Sequence, residues 1–483
     1  MRAGTSRIRS CRSAAGLTVA TLALLASNLA VLADAPRRAA APFEARFAAF
    51  RGSATKADLY KLAWALPKGG DLHNHHEYSV PMATWLKLAS DPRLLHGNRY
   101  FARTHLGDCP QEQAPHLLFM TVSRRTYDAL ADCERKEYQP LDSLSAEQQA
   151  AWVASNQIPE GGRDGFFEDV VGRLSELEHD PYLIAELLVV QLRQAEAEGL
   201  LYLETQLDPR GFRHPDGTKL GGDRAAEVVR TRLRQVDVPK TVETRFQVST
   251  VRFLPDAEED LADGFEFVHR NRDLWVGVNL VGREDDPAGK PLRFLDTLRR
   301  LRTTYGDVGL SLHAGESASP DRAIHDTLLL GAKRIGHGIN LLGDPETLLL
   351  MRHGDYLIES CLVSNHLLGY VPDLSKHPFP EYLRLGIPVS LNTDDRGAWD
   401  SNMVDEYFLA VTLFHLTWPE VVAIGRQSLA HSFAEPPLKR RLLERYDNAV
   451  RAFELKYGSA DWSAALKAVP AIPSGYAKRY LGL

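Results

Sequence analysis

The chain has 483 residues, 44% of them hydrophobic and 25% charged, and a formal net charge of −6. This composition is ordinary for a soluble globular protein, and the length fits one large domain with additions or two domains. A mildly acidic chain without basic runs argues against binding to a nucleic-acid backbone.

The first 35 residues have the organisation of a secretory signal peptide. Four arginines precede an apolar stretch over 14–32, which ends at the small-residue site Ala33-Asp34-Ala35. An uncleaved membrane anchor is the alternative, because the stretch approaches the roughly 20 residues that span a bilayer. Polar residues dilute the stretch, so we expect cleavage near Ala35. The mature protein is then exported, periplasmic or secreted, without stable membrane insertion.

A long irregular segment is predicted near the start of the mature chain. Residues 36–66 predict a linker and helical segments, and the main domain covers 67–483. Within it, about 90–165 is rich in charge and turns and poor in strand signals, which predicts an insertion over the mouth of a barrel. This insertion carries Cys109 and Cys133, which either form a disulfide or remain free thiols.

The rest of the chain alternates strand-like apolar runs with helical patterns, which predicts βα units and a parallel sheet. The predicted strands are 70–75, 200–207, 244–252, 274–281, 308–313, 334–338, 356–361 and 388–393. Eight such strands indicate an α/β protein with the (β/α)₈ TIM-barrel fold. Residues from about 402 to 483 predict additional C-terminal helices on the outside.

Four polar motifs lie at the ends of predicted strands. The first contains His73 and His75, which point to the same side because alternate strand residues share a face. Neutral imidazole is a common zinc ligand in proteins. The other three motifs are His313-Ala314-Gly315-Glu316, Gly336-His337-Gly338 and Asn392-Thr393-Asp394-Asp395.

In this order, the motifs resemble the adenosine deaminase family, and most closely its secreted, growth-factor-like branch. Members of that branch begin with a segment similar to Pro67-Lys68-Gly69-Gly70, and the resemblance extends from about Pro67 to Arg396. It implies zinc-dependent hydrolytic deamination of adenosine or 2′-deoxyadenosine. The implied partner is therefore a small purine nucleoside, and the implied cofactor is one Zn²⁺ per chain.

Each motif falls at the C-terminal end of its strand, the face where barrel enzymes keep their active sites. His73, His75, His313 and Asp394 would there surround one metal ion. Three nitrogen ligands and one carboxylate suit zinc and leave room for a water molecule.

The resemblance also implies catalytic roles for three residues. Glu316 would protonate N1 of the purine, which requires a raised carboxyl pKa. His337 would orient and stabilise the attacking hydroxide. Asp395 would hydrogen-bond to that hydroxide or to a protonated N7, and it would therefore also contact the substrate.

Further substrate contacts are implied for His75, for Glu77 and for Gly282, whose backbone amide would meet the purine N3. Three departures from the family pattern concern the sugar side of the site. Glu77-Tyr78 replaces the more usual Asp-Gly, Ser364-Asn365-His366 replaces a serine-rich segment, and Arg396 stands where proline is common. The exact nucleoside therefore stays open.

Two alternatives stay open at this point. One is another metal-dependent amidohydrolase or purine deaminase with a different substrate. Such enzymes often hold two metals with a lysine on the fourth strand, and 274–281 contains no lysine. The other is a non-catalytic growth-factor-like signalling protein, which an intact metal set argues against. His366 and His377 are weaker candidates for the pocket lining, and Cys361 is expected to be a core thiol.

Overall fold

The strands of the protein form one large and one small sheet. A computed structural model describes residues 40–107, 109, 117–159, 162–317, 321–458 and 461–483, so the expected signal peptide over 1–35 lies outside the described residues. The strands are β1 Gly70–Asp71, β2 Tyr100–Arg103, β3 Thr121–Ser123, β4 Tyr138–Pro140, β5 Tyr202–Gln206, β6 Glu243–Val251, β7 Trp275–Val281, β8 Gly309–Ala314, β9 Arg334–His337, β10 Leu357–Ser360 and β11 Val389–Leu391.

The large sheet is the predicted barrel, with eight parallel strands in the order β1-β5-β6-β7-β8-β9-β10-β11. All seven residues of β7 are buried, as expected for a strand covered on both faces. The last strand returns to the first through the backbone N–H of Asp394, which donates to the carbonyl of His73 at 2.9 Å. The backbone N–H of Leu72 also donates to Asn392 Oδ1 at 3.0 Å. The (β/α)₈ prediction is therefore confirmed.

Helices cover the outside of this barrel and extend it at both ends. The α-helices are Ala40–Ser53, Lys56–Ala65, Met82–Ala89, Arg124–Ala129, Asp132–Arg135, Ala146–Ser155, Gly162–Gly165, Ser175–Glu178, Pro181–Ala197, Gly222–Leu233, Ala257–Arg270, Leu295–Thr304, Ala323–Leu329, Pro345–His353, Leu362–Leu367, Phe379–Arg384, Arg396–Trp399, Met403–Thr412, Trp418–Ala430, Pro436–Gly458 and Trp462–Leu466. Two π-helical segments are Phe166–Val170 and Ala477–Leu481. None of the described helices combines the length and apolar character that a membrane span requires.

The insertion differs from its prediction, because it contains the small antiparallel sheet β3-β2-β4. Strands of three or four residues are too short to show an alternating pattern, and β2 is buried on both faces. It even ends in the buried Arg103, whose Nε donates to Glu137 Oε2 at 2.7 Å. A disulfide joins Cys109, which follows β2, to Cys133 in the helix Asp132–Arg135, which precedes β4.

The Pro67-Lys68-Gly69-Gly70 segment leads the chain into β1. Lys68 Nζ donates to the carbonyls of Ala63 and Leu66 at 2.7 and 3.3 Å, so it caps the C-terminal end of helix Lys56–Ala65. A Cβ at Gly69 would lie 1.9 Å from the carbonyl oxygen of Gly425. Glycine is needed there because helix Trp418–Ala430 packs directly on the backbone.

A buried ionic network lies inside the barrel. Arg334 contacts Glu204 Oε1 and Glu359 Oε1, each at 2.6 Å, and all three side chains are fully buried. The Arg334 guanidinium also lies 3.9 Å from the ring centre of Phe433. Because buried charges are costly unless they are paired, this network fixes β5, β9 and β10 in one arrangement.

Candidate active site

A cluster of histidine and carboxylate side chains lies at the C-terminal ends of β1, β8 and β11. His75 Nε2 is 3.3 Å and His73 Nε2 is 3.7 Å from Asp394 Oδ1. The ring centre of His313 lies 4.4 Å from that of His73 and 5.5 Å from that of His75. Ligand atoms about 2.0–2.1 Å from one tetrahedral zinc ion are separated by about 3.4 Å. The separations of His73 and His75 from Asp394 therefore fit a shared metal ion, and a ligand nitrogen of His313 lies within 4.8 Å of one of His73.

Hydrogen bonds behind the cluster set the orientation of two histidine rings. His73 Nδ1 lies 2.8 Å from Glu359 Oε2, and His313 Nδ1 lies 2.9 Å from Asn279 Oδ1. Both partners are acceptors, so each Nδ1 carries the proton and each Nε2 keeps its lone pair. His73 Nε2 is buried and makes no hydrogen bond within the described residues. A metal ion would satisfy it, so these residues fit a divalent metal.

The charge states of the cluster also suit metal binding. Burial, together with the nearby His73 and His337, lowers the pKa of His313 well below its usual value, which keeps the ring neutral. Burial opposes ionisation of Asp394, but the hydrogen bond from His75 and the neighbouring histidines outweigh it and lower the pKa of Asp394. Neutral imidazoles and an ionised carboxylate are the ligand forms that zinc binds, and His313 and Asp394 are in these forms. His75 differs, because the nearby Asp395 and Asp394 outweigh burial and raise its pKa to about 9, so zinc binding would have to displace its proton.

Glu316 lies in a tight turn three residues after His313. Glu284 accepts hydrogen bonds from the backbone N–H groups of Gly315 and Glu316, at 2.8 and 3.1 Å, and so holds this turn. Burial raises the pKa of Glu316 well above its usual value, and the nearby charge of Asp394 raises it further. The carboxyl is therefore held in the protonated form that an acid catalyst needs.

His337 and Asp394 share an uncommon backbone conformation. Their φ angles are +62° and +51°, in the left-handed region that side chains other than glycine seldom adopt. His337 is the last residue of β9 and Asp394 lies three residues after β11, at the mouth of the barrel. Such conformations cluster at functional sites, where surrounding contacts hold them in place. The two side chains thereby reach the same cavity wall.

The cluster forms the floor of a cavity of about 380 Å³. Its other walls include Phe166 and Phe167 from the end of the insertion, Phe253 after β6, and Leu368. These apolar groups provide flat surfaces for an aromatic ring. Gly282 has a φ of +92°, and a Cβ there would lie 2.8 Å from Phe253, so this wall also requires glycine.

The structure places the predicted site residues in one region. Those that line the cavity are His75, Glu77, Gly282, His313, Glu316, His337, Asp394 and Asp395. His73 lies below them and is fully buried. Their chemical roles remain predictions.

The departures from the family pattern fall into two groups. Tyr78 lines the cavity, whereas Arg396 turns away and pairs with the buried Glu198. The weak expectation that His366 and His377 line the pocket is wrong, because neither is part of its wall. His366 instead contacts Tyr476 Oη at 3.0 Å. Their polar side chains are used to join helices rather than to face a ligand.

Several supporting residues were not predicted, among them Glu284, Asn279 and Glu359. They touch the turn or the ligands rather than the cavity, and each lies in or beside a strand that is otherwise apolar. A polar residue inside a predicted buried strand was the available signal, because burial without a partner is costly. Cys361, predicted to be a core thiol, is buried and free, and burial raises the pKa of this thiol.

Comparison with known proteins identifies the family. The model of the family described as adenosine deaminase matches residues 178–449. The chain belongs to the adenosine deaminase family. It is therefore a metal-dependent purine deaminase, and its histidine cluster is the metal site expected for such an enzyme.

Relatives within the adenosine deaminase family differ in the substrate that their names give. The chain is 31% identical to the adenosine deaminase of Enterococcus faecalis over 53% of this chain and 74% of that protein. It is 28% identical to the adenine deaminase of Sinorhizobium medicae over 57% of this chain and 82% of that protein. The solved structure of the Arabidopsis N6-mAMP deaminase has 21% identity and a TM-score of 0.60, and the match covers 80% of this chain and 99% of that one.

Proposed function

We propose that the protein is an exported zinc enzyme that deaminates adenosine or 2′-deoxyadenosine by hydrolysis. The products are inosine or 2′-deoxyinosine, and ammonia. The observation that carries this proposal is the convergence of His75, His313, Asp394 and Glu316 on one cavity of about 380 Å³, with His73 buried below them. Cavities of about 300–1,000 Å³ suit ligands of this size.

The proposed ligands are His73, His75, His313 and Asp394. Three nitrogens and one oxygen favour zinc over magnesium or calcium, which prefer oxygen ligands. When bound, zinc supplies Lewis acidity that makes water a nucleophile at neutral pH. The chain itself keeps His313 neutral and Asp394 ionised, and its aromatic side chains line the cavity above them.

Glu316 is the proposed acid, and it delivers its proton to N1 as hydroxide adds to C6. His337 and Asp395 flank the same floor, where they hold the hydroxide by hydrogen bonds. Burial, with the adjacent Asp394, raises the pKa of Asp395 well above its usual value. Asp395 is therefore a donor as well as an acceptor in this site. The backbone N–H of Gly282 is the proposed contact of purine N3.

The carboxyl groups that line the cavity favour a neutral nucleoside over a nucleotide. Glu77, Glu178 and Asp208 line the wall, and burial raises the pKa of Glu77 to about 7 and that of Glu178 to about 8. Among the described residues that line the cavity, Arg283 is the one arginine or lysine. Its Nη2 lies 3.0 Å from Asp285 Oδ2, so its charge is neutralised. A phosphate would meet acidic groups without a free cation, whereas ribose hydroxyls would find hydrogen-bond partners.

A substrate panel tests this proposal. The purified protein is loaded with one equivalent of zinc and given adenosine, 2′-deoxyadenosine, adenine, AMP and N6-methyl-AMP, while ammonia release is measured. We expect kcat/KM to be highest for the two nucleosides. Preference for adenine or for a nucleotide would overturn the substrate assignment, and no ammonia from any of the five would overturn the enzymatic function.

Export is proposed on separate grounds. The Ala33-Asp34-Ala35 site follows an apolar stretch in the sequence, and the Cys109–Cys133 disulfide suits an oxidising compartment. Protein isolated from the native host should begin near Pro36 when its N-terminus is sequenced. An intact Met1 in the cytoplasmic fraction would contradict this proposal.

A further inference from the structure

His337 is the histidine of the cluster that the proposed ligand set leaves out, although it lies close enough to bind. A ring nitrogen of His337 lies within 4.8 Å of ligand nitrogens of His73 and His313. Its ring centre is 4.8 Å from that of His73 and 5.1 Å from that of His313. Distance alone therefore does not separate this catalytic candidate from the ligands. The hydrogen bonds that each ring makes at its Nδ1 atom do separate them.

The hydrogen-bond chain behind His337 begins at a backbone amide. The N–H of Phe379 donates to His377 Nδ1 at 3.1 Å, so this nitrogen carries no proton. Burial also lowers the pKa of His377, to about 3, and the ring is therefore neutral. The one ring proton of His377 is on Nε2, which lies 3.1 Å from Asn365 Oδ1. His377 therefore donates to the Asn365 amide oxygen.

This contact fixes which way the Asn365 amide faces. The oxygen points to His377, and the NH₂ group points to His337 Nδ1 at 3.1 Å and to Glu316 Oε1 at 3.3 Å. The opposite orientation would place NH₂ against the His377 N–H, which is unfavourable. Because an amide NH₂ can only donate, His337 Nδ1 accepts from Asn365. Glu316 Oε1 also lies 3.3 Å from His337 Nδ1, but it receives the Asn365 NH₂ group and burial favours the protonated carboxyl, so it does not require a proton on Nδ1. The proton of a neutral His337 then sits on Nε2, the nitrogen left for the reacting centre.

The cluster thus contains histidines with two opposite kinds of support. Behind His73 and His313 stand the acceptors Glu359 and Asn279, which leave each Nε2 with a lone pair. Behind His337 stands a donor, Asn365. A protonated ring nitrogen cannot bind a metal ion, but it can donate a hydrogen bond to an oxygen nucleophile.

We propose that Asn365 and His377 are positioning residues that hold His337 in its Nε2–H tautomer and thereby keep it out of the metal ligand set. Their function is to sort otherwise similar histidines into ligands and a hydrogen-bond donor. This inference rests on the proposed metal site, but the tautomer itself depends only on residues of the chain.

The direct test is a nitrogen-15 NMR measurement on protein labelled at histidine, with and without zinc. The signals of His337 are assigned by their absence from His337→Gln. We expect Nδ1 of His337 to be unprotonated and Nε2 to be protonated in both states. A proton on Nδ1, or a zinc-dependent shift showing that His337 binds the metal, would overturn the inference. Failure to bind zinc would overturn the proposed function, while the metal-free spectrum would still decide the tautomer.

A second test reverses the hydrogen bond. Asn365→Asp replaces a donor by an acceptor of the same size, so His337 should carry its proton on Nδ1 and add its Nε2 to the metal. In cobalt-substituted protein we expect the visible absorption bands to change. We expect kcat to fall by about 10²–10⁴-fold with little change in KM, as for loss of a positioned catalytic proton. Cobalt bands and kcat like those of the unaltered protein would contradict the inference.

Two controls separate positioning from a general loss of structure. Asn402→Asp is the same substitution at the N-cap of helix Met403–Thr412, where aspartate caps as well as asparagine, so its cobalt bands should not change. His377→Gln keeps an N–H donor for Asn365, and His377→Leu does not. We expect the kcat of the glutamine variant to stay close to that of the unaltered protein, and the kcat of the leucine variant to be much lower. Equal kcat values for the two would contradict the role of His377.

Discussion

Glu359 Oε2 lies 2.8 Å from His73 Nδ1, and both side chains are fully buried. Burial alone would raise the pKa of Glu359, but Arg334 and His73 outweigh it and lower this pKa below its usual value. Ser311 Oγ adds hydrogen bonds of 3.1 and 3.0 Å to the same carboxylate. An ionised Glu359 therefore holds the His73 ring from behind and makes it a stronger ligand.

Replacing this carboxylate should weaken the metal site without touching the metal. We expect Glu359→Gln to lower zinc affinity by about 10–100-fold, the range typical of such supporting residues. Competition with a chelator of known affinity measures the change. Glu258→Gln removes a carboxylate from a partly exposed ion pair with Arg293 and serves as the control. Equal affinities for both variants would show that Glu359 does not support the ligand.

Glu316→Gln tests the proposed acid. The amide keeps the size of the side chain, so zinc content and KM for adenosine should change little. We expect kcat to fall by about 10²–10⁴-fold. The raised pKa of Glu316 favours a protonated carboxyl that can transfer its proton to the ring, and a glutamine amide cannot act as this acid. Steady-state kinetics at saturating zinc measures the effect. A variant with nearly full kcat would mean that another group protonates the ring.

Gly282→Ala tests the wall opposite the cluster. A methyl group there would meet Phe253 at 2.8 Å, and the φ of +92° costs a non-glycine residue about 1–2 kcal/mol. We therefore expect a lower melting temperature and a raised KM, since the backbone N–H would shift. Gly52→Ala is the matched control, because nothing lies within 4 Å of its added Cβ. A Gly282→Ala enzyme with unchanged KM would rule out this contact with the substrate.

Asp405 is not one of the proposed metal ligands, and it should make the free energy of unfolding depend on pH. Burial raises its pKa from 3.8 to about 7, although hydrogen bonds from Ser474 and Tyr60 oppose the shift. The folded state thus holds a proton that the unfolded state releases, so this stabilisation is complete below about pH 4 and is lost as pH rises to about 7.

The variant Asp405→Asn isolates this contribution. We expect the free energy of unfolding lost by Asp405→Asn to be larger at pH 4.5 than at pH 7.5, when both proteins are compared without metal. Urea denaturation at each pH measures it. A loss that is equal at the two pH values, or larger at pH 7.5, would mean that Asp405 is not protonated in this range.

The parts of the molecule that the sequence predicts best are those with long-range repetition. All seven residues of the strand β7 are buried, and strand-like segments alternate with helical patterns along the chain, so the barrel follows from pattern alone. The cluster also follows, because parallel strands bring their C-terminal ends together. The strands β2 to β4 could not be predicted, since three or four residues carry no period and Arg103 looks like a surface residue.

The supporting residues were harder to predict for a different reason. Asn365 and His377 are twelve positions apart, and their use depends on the direction of two hydrogen bonds rather than on residue type. Phe166 reaches the cavity from the π-helical segment Phe166–Val170, which follows the insertion. Such contacts arise from tertiary packing, which leaves no local signature in the sequence.

The left-handed backbone at His337 and Asp394 has a consequence for protein engineering. Each such conformation costs on the order of 1–3 kcal/mol, so the chain sacrifices some stability at the residues that would do its chemistry. Glycine would relieve that cost at either position and would remove the imidazole or carboxylate. Selection for heat resistance alone would therefore favour inactive proteins, and a search for hardier variants needs turnover as a second criterion.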